Sequence, residues 1–113
     1  MSDRYLRIKE KINRNELIIL DGGVGTELQK RGIEMDGSWC GSASLNTEIL
    51  KQVHLDYIEA GAEIITANTY ASSRLMLNSA GLGENFEEIN EKAINSAKSA
   101  RREVENEDIL IAG

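Results

Sequence analysis

Residues 17–25 read LIILDGGVG, four apolar side chains running straight into a carboxylate and a cluster of three glycines. A short continuous apolar run of this kind is the pattern of a strand buried on both faces of a parallel sheet. Two further runs share it: EIITA at 63–67 and ILIA at 109–112. The segments between them have helical character. Val24 to Arg31 reads as a brief helix stopped by Gly32. Asn46 is placed to cap a helix whose apolar face is Ile49, Leu50, Val53, Tyr57 and Ile58, with Gly61 as its stop. Residues 71–79 form a short helical or irregular piece, broken by Gly81 and Gly83. A long helix then spans roughly 85–105, with Phe86, Ile89, Ala93, Ile94, Ala97, Ala100 and Val104 facing inward.

The order strand, helix, strand, helix, strand predicts parallel pairing through right-handed crossovers. Strand starts at 17, 63 and 109 are 46 residues apart in each unit. The minimal unit needs only about 30, so room remains for extra loop structure. That room lies mainly in 33–45, a stretch rich in Gly and Ser without periodicity, read as a long loop of the kind that is often functional. Ahead of the first strand, Tyr5, Leu6, Ile8 and Ile12 recur at helical spacing within residues 5–16, a face able to pack on a larger surface. A chain that closes on a bare third strand is expected to be the front of a longer α/β protein.

Composition narrows the function. The 113 residues carry 19 acidic and 13 basic side chains, a net charge of −6, spread without a basic stripe. That distribution argues against a nucleic-acid partner. No apolar run approaches the roughly 18 to 20 residues of a membrane span, and the charged start MSDRYLRIKEKINRNE has no apolar core behind it, so a cytoplasmic protein is expected. The single cysteine, Cys40, cannot form an internal disulfide or by itself complete a zinc site. Proline is absent, so turns rely on Gly, Asn, Asp and Ser.

In parallel α/β sheets ligands sit beyond the carboxyl ends of the strands. Asp21, Gly22 and Gly23 follow the first strand and Asn68, Thr69 and Tyr70 follow the second, which puts both clusters on one rim. A carboxylate there can pair with an ammonium group, and glycines let backbone N–H groups approach a carboxylate or phosphate. The combination suits an amino acid. The same triplet is also what a plain turn looks like, and the local pattern leaves both readings open. Dinucleotide binding is disfavoured, because G-V-G-T-E-L from Gly23 lacks the third glycine of G-x-G-x-x-G. Cys40 reads as an ordinary thiol, and His54, mid-helix and the only histidine, as a surface or packing residue. The glutamates at 87–91 and 103–107 alternate with Lys and Arg as a solvated face.

With these residues placed, the chain resembles the amino-terminal part of the homocysteine S-methyltransferase family, which includes betaine- and S-methylmethionine-dependent enzymes and the homocysteine domain of cobalamin-dependent methionine synthase. The carriers are ILDGGVGTELQKRG at 19–32, Trp39 with Ser42 and Ala43, VHLDYIEAGAEIITANTYAS at 53–72 and the closing ILIAG. The resemblance implies that residues 1–113 supply the first three βα units of a homocysteine-binding (β/α)8 TIM barrel that is incomplete in this chain, with 1–16 as a helical extension. It implies zinc-assisted transfer of a methyl group from a small-molecule donor to the homocysteine thiolate, forming methionine. It places Asp21 at the homocysteine amino group, the amides of Gly22 and Gly23 at its carboxylate, and Asn68, Thr69 and Tyr70 along the pocket wall.

There are departures. The family's zinc-ligating cysteines come from later barrel strands, Cys40 matches none of them, and Thr47 stands where relatives often carry proline. The expectation is therefore no bound zinc, no catalytic residue within the chain and no activity by the chain alone. Two rival readings stand beside it. One is a non-catalytic α/β fragment that forms homo-oligomers through exposed strand edges. The other is a different barrel enzyme with Asp21 as a general base.

Overall fold

The computed structural model describes residues 2–113, so the first residue of the predicted helical extension lies outside the described residues. The chain folds as mixed α/β with a short parallel sheet. Its elements are α1 (Asp3–Asn13), α2 (Val24–Lys30), α3 (Thr47–Glu59), β1 (Ile64–Thr66), α4 (Arg74–Ser79), α5 (Phe86–Glu103) and β2 (Leu110–Ala112), with 3-10 turns at Gly41–Leu45, Tyr70–Ser72 and Gly83–Asn85. β1 and β2 pair in parallel, Ile64 with Leu110 through Thr66 with Ala112.

Among the described residues the sheet carries a core on one face. Ile65 is fully buried against Ala62, Ala97 and Ile109, with Tyr57, Ile58 and Ile111 packed around them. A second cluster joins Leu28, Ala43, Leu50 and Val53, linking α2, α3 and the 3-10 turn after Cys40. α5 lies along α3 because Ile89, Ala93, Ala97 and Ala100 recur on one stripe, and the small alanines allow the helices to approach closely. Gly61 ends α3 at φ +111°, a conformation that a side chain disfavours.

Several expectations need correction. The run at 17–20 is not a strand buried on both faces. It makes one parallel bridge, Leu20 to Ile64, and Leu17 and Leu20 are 92% and 63% exposed. Burial on both faces requires a layer on each side and a neighbour on each edge, and among the described residues this run has β1 as its neighbour on one edge alone. Its pairing is still in register: Glu63 N–H donates to the Ile19 carbonyl at 2.8 Å and Asp21 N–H to the Ile64 carbonyl at 3.0 Å.

Asn46 precedes α3 but makes no side-chain cap bond. Val104 is exposed rather than inward, since α5 ends before it; Phe86 and Ile94 are half-buried. In α1 only Ile8 is buried among the described residues, while Tyr5, Leu6 and Ile12 remain exposed. That helix is held at its polar side, through ion pairs of Arg4 with Glu107, Arg7 with Asp108 and Lys11 with Glu63. The 33–45 stretch is also more ordered than a plain loop. It contains an Asp36–Trp39 bridge and the 3-10 turn.

Candidate functional site

Parallel pairing sends the ends of the 17–20 run, β1 and β2 to one edge, so both residue clusters singled out above follow strand ends there, and the contact across it runs from Asp21 to Thr66. Asp21 is half-buried and bonded across to β1 through both carboxylate oxygens. Oδ2 accepts the Thr66 N–H at 2.8 Å and Oδ1 accepts the Thr66 hydroxyl at 3.0 Å. Asp21 is therefore a structural fastener of the first run. Each carboxylate oxygen has two lone pairs, so acceptor capacity remains for a further donor.

Beyond it the chain turns at Gly22 and Gly23 into α2. Here α3 sets the shape of the turn. Tyr57, on the third turn of α3, donates its hydroxyl to the Gly23 carbonyl at 2.9 Å. A Cβ on Gly22 would lie 2.8 Å from that hydroxyl oxygen, so the ring and the turn fit only because position 22 has no side chain. The φ at Gly23 is −62°, within reach of any residue.

At the exit of β1, Asn68 is buried, Thr69 half-buried and Tyr70 97% exposed. Asn68 faces the 36–45 loop, where Nδ2 donates to the Cys40 carbonyl at 2.8 Å and the Ser44 hydroxyl at 3.1 Å. The Cys40 thiol donates to Asn68 Oδ1 at 3.4 Å. Burial pushes that thiol up from its ordinary range, a backbone hydrogen bond opposes this, and the nearby Asp36 charge adds to it. Burial also pushes the Asp36 carboxyl up, but hydrogen bonds from Ser38 and Ser42 outweigh it and hold Asp36 below the usual carboxylate range. Cys40 is thus a protonated, hydrogen-bonded thiol, unsuited to act as a nucleophile.

Of the two readings of His54, surface or packing, the structure takes packing. The side chain is fully buried in α3, and neither ring nitrogen has a partner among the described residues. Burial lowers its pKa to about 4, against a smaller upward pull from the Asp21 charge. The imidazole is therefore neutral at physiological pH. Its position next to Val53 on the apolar stripe was a usable signal, since its i−4 and i+4 neighbours, Leu50 and Ile58, are apolar.

A zinc ion needs three or four convergent ligands. No group of three His, Cys, Asp or Glu side chains among the described residues can hold a metal ion, and the one thiol is committed to Asn68. The described residues do not fit zinc. Nor is any described helix long and apolar enough to cross a membrane.

Comparison with known proteins gives the family. Residues 18–113 match the homocysteine S-methyltransferase family model, from the apolar run ahead of Asp21 through β2. The chain belongs to the homocysteine S-methyltransferase family. Among its relatives, homocysteine S-methyltransferase 4 of Zea mays is 33% identical over 87 residues, covering 74% of this chain and 25% of that protein. Betaine–homocysteine S-methyltransferase 1 of Danio rerio is 34% identical over 110 residues, covering 94% of this chain and 26% of that protein. The crystal structure of the oxidized homocysteine methyltransferase MmuM of Escherichia coli superimposes with a TM-score of 0.72 at 30% identity, over 86% of this chain and 36% of that one. The chain thus spans about a quarter of the length of these curated family members.

Proposed function

We propose that this chain is the homocysteine-binding, amino-terminal part of a zinc-dependent homocysteine S-methyltransferase, the first three βα units of a (β/α)8 barrel. The observation that carries the reading is the meeting of the Asp21-Gly22-Gly23 turn with the exit of β1, within a segment matched from end to end by the family. Asp21 receives the homocysteine ammonium group with its free lone pairs while its bonds to Thr66 keep it in place. The amides of Gly22 and Gly23 take the carboxylate, and Thr69 and Tyr70 line the wall, Tyr70 with its ring free to turn onto a ligand.

Methyl transfer requires the homocysteine sulfur to lose its proton, form the S–CH₃ bond and release the donor as the donor–CH₃ bond breaks. Zinc, when bound, lowers the pKa of that thiol. Its ligands are assigned to parts of the enzyme outside these residues, because the residues here do not form a set. This chain's share of the work is binding and orientation in a cytoplasmic enzyme, and by itself it is expected not to turn over. The methyl donor is a small molecule, and neither nucleic acid nor membrane is a partner. The exposed Leu17, Ile19 and Leu20 support a second reading, homo-oligomers that cover this edge.

Isothermal titration of the purified chain with L-homocysteine tests the proposal. Saturable binding that is lost in Asp21→Asn supports it. Equal heats from the two proteins, or methionine formation by the chain alone, contradict it.

A further inference from the structure

Asn68 has spent its amide inside the protein. Both N–H directions are used, on the Cys40 carbonyl at 2.8 Å and the Ser44 hydroxyl at 3.1 Å, and the carbonyl oxygen accepts from the Cys40 thiol at 3.4 Å. Its backbone carbonyl accepts the Ser72 hydroxyl at 2.9 Å. An amide side chain has two donors and two acceptor sites, so a single lone pair is left.

The loop that it grips is independently braced. The Asp36 carboxylate accepts the Ser38 N–H at 2.7 Å and the Ser38 hydroxyl at 2.6 Å, and the Ser38 hydroxyl accepts the Ser42 N–H at 3.1 Å. Gly41 lies so close to the Ala71 carbonyl that a Cβ could not be placed between them, and a Cβ on Gly25 would stand 3.3 Å from the Cys40 sulfur. Trp39 is held at φ +60° while 70% exposed. A bulky residue keeps a left-handed backbone only where its surroundings over-determine it.

We infer that Asn68 is a positioning residue that clasps the 36–45 loop to the exit of β1, making it a preformed wall of the site, and that it acts on the ligand only through that loop. What the wall serves rests on the functional reading above; the clasp itself does not. It differs from a pocket-lining contact in its consequence. Removing Asn68 should loosen Cys40 and Trp39 first, and weaken ligand binding only as a result.

The chain carries its own reporters, because Cys40 and Trp39 are its only cysteine and tryptophan. Iodoacetamide alkylation of Cys40 and the fluorescence anisotropy of Trp39 are followed in wild type, Asn68→Ala and Ser44→Ala, beside circular dichroism and homocysteine titration. In folded Asn68→Ala, alkylation is expected to accelerate on the order of tenfold and anisotropy to fall, while Ser44→Ala, which loses one arm, rises about two- to threefold. If Asn68→Ala fails to fold, Ser44→Ala decides by the same readouts. Unchanged alkylation and anisotropy in the folded variants overturn the clasp. So does loss of homocysteine affinity in Asn68→Ala with both reporters unchanged, which would mark a direct contact. A wild-type chain that binds no homocysteine counts against the functional reading, and the reporters still decide the clasp.

Discussion

The hydroxyl of Tyr57 donates to the Gly23 carbonyl at 2.9 Å, and its ring fills the space that a Cβ on Gly22 would need. One aromatic side chain of α3 thereby requires glycine at position 22 and holds the carbonyl of position 23. Gly22→Ala should push the ring off its bond and destabilise the chain by about 1–2 kcal/mol, while Tyr57→Phe loses the hydrogen bond alone, about 0.5–1.5 kcal/mol. In the double variant the two costs should be less than additive, because the clash and the bond involve the same atom. Urea denaturation of the four proteins measures this.

Asp21 performs two tasks, and substitutions separate them. In Asp21→Asn the amide can still accept the Thr66 N–H and exchange donor and acceptor with the Thr66 hydroxyl, so less than about 1 kcal/mol of stability is at risk. Asp21→Ala removes both bonds to the exposed Thr66 and should cost about 1–2 kcal/mol. Equal melting temperatures for the Ala and Asn variants would contradict the fastening role.

His54 sets a pH dependence. Its folded pKa, about 4, lies below the value of 6.5 for an unperturbed histidine. The unfolded chain therefore binds the proton first on acidification. Stability is fully present above pH 6.5, falls as the pH drops toward about 4 and levels off below it. The buried ring gives a loss of about 3 kcal/mol over that window. His54→Leu should flatten this part of the profile without loss at neutral pH, because neither ring nitrogen gives up a hydrogen bond. A wild-type profile that is flat between these limits would sink the account.

Glu63 fastens the amino-terminal region. It pairs with Lys11 of α1 and accepts the Ile19 N–H at 3.0 Å, and its carboxyl is held below the usual range by the Lys11 bond first and the Ile19 bond second. Stability from this group is present above its ordinary pKa of 4.5 and is lost as the pH falls below it. Glu63→Gln should leave the core intact and raise hydrogen exchange in α1 and in residues 17–20. Exchange unchanged in both segments would show the anchoring to lie elsewhere.

Much of this architecture was legible in the sequence. The helix boundaries followed Gly32, Gly61 and the alanine stripe of α5, because backbone freedom and 3.6-residue periodicity are local properties. The 17–20 run was misread for a non-local reason: an apolar run announces what it needs to bury, and its neighbours decide whether it is buried. Leu17, Ile19 and Leu20 lack that cover among the described residues. His54 and Asn68 were hard to place for the same reason. Whether a polar side chain meets solvent, ligand or loop depends on residues far away in the chain. The rim cluster at Asp21 was legible because strand order and parallel pairing fix where strand ends go.

The central claim is that the Asp21-Gly22-Gly23 turn binds homocysteine by its amino and carboxylate groups. Nitrogen-15 NMR titration of the chain with L-homocysteine tests this most directly. The account predicts saturable shifts concentrated at the amides of Asp21, Gly22, Gly23 and Thr66, absent in Asp21→Asn. Shifts spread elsewhere, or the same shifts in Asp21→Asn, would contradict it.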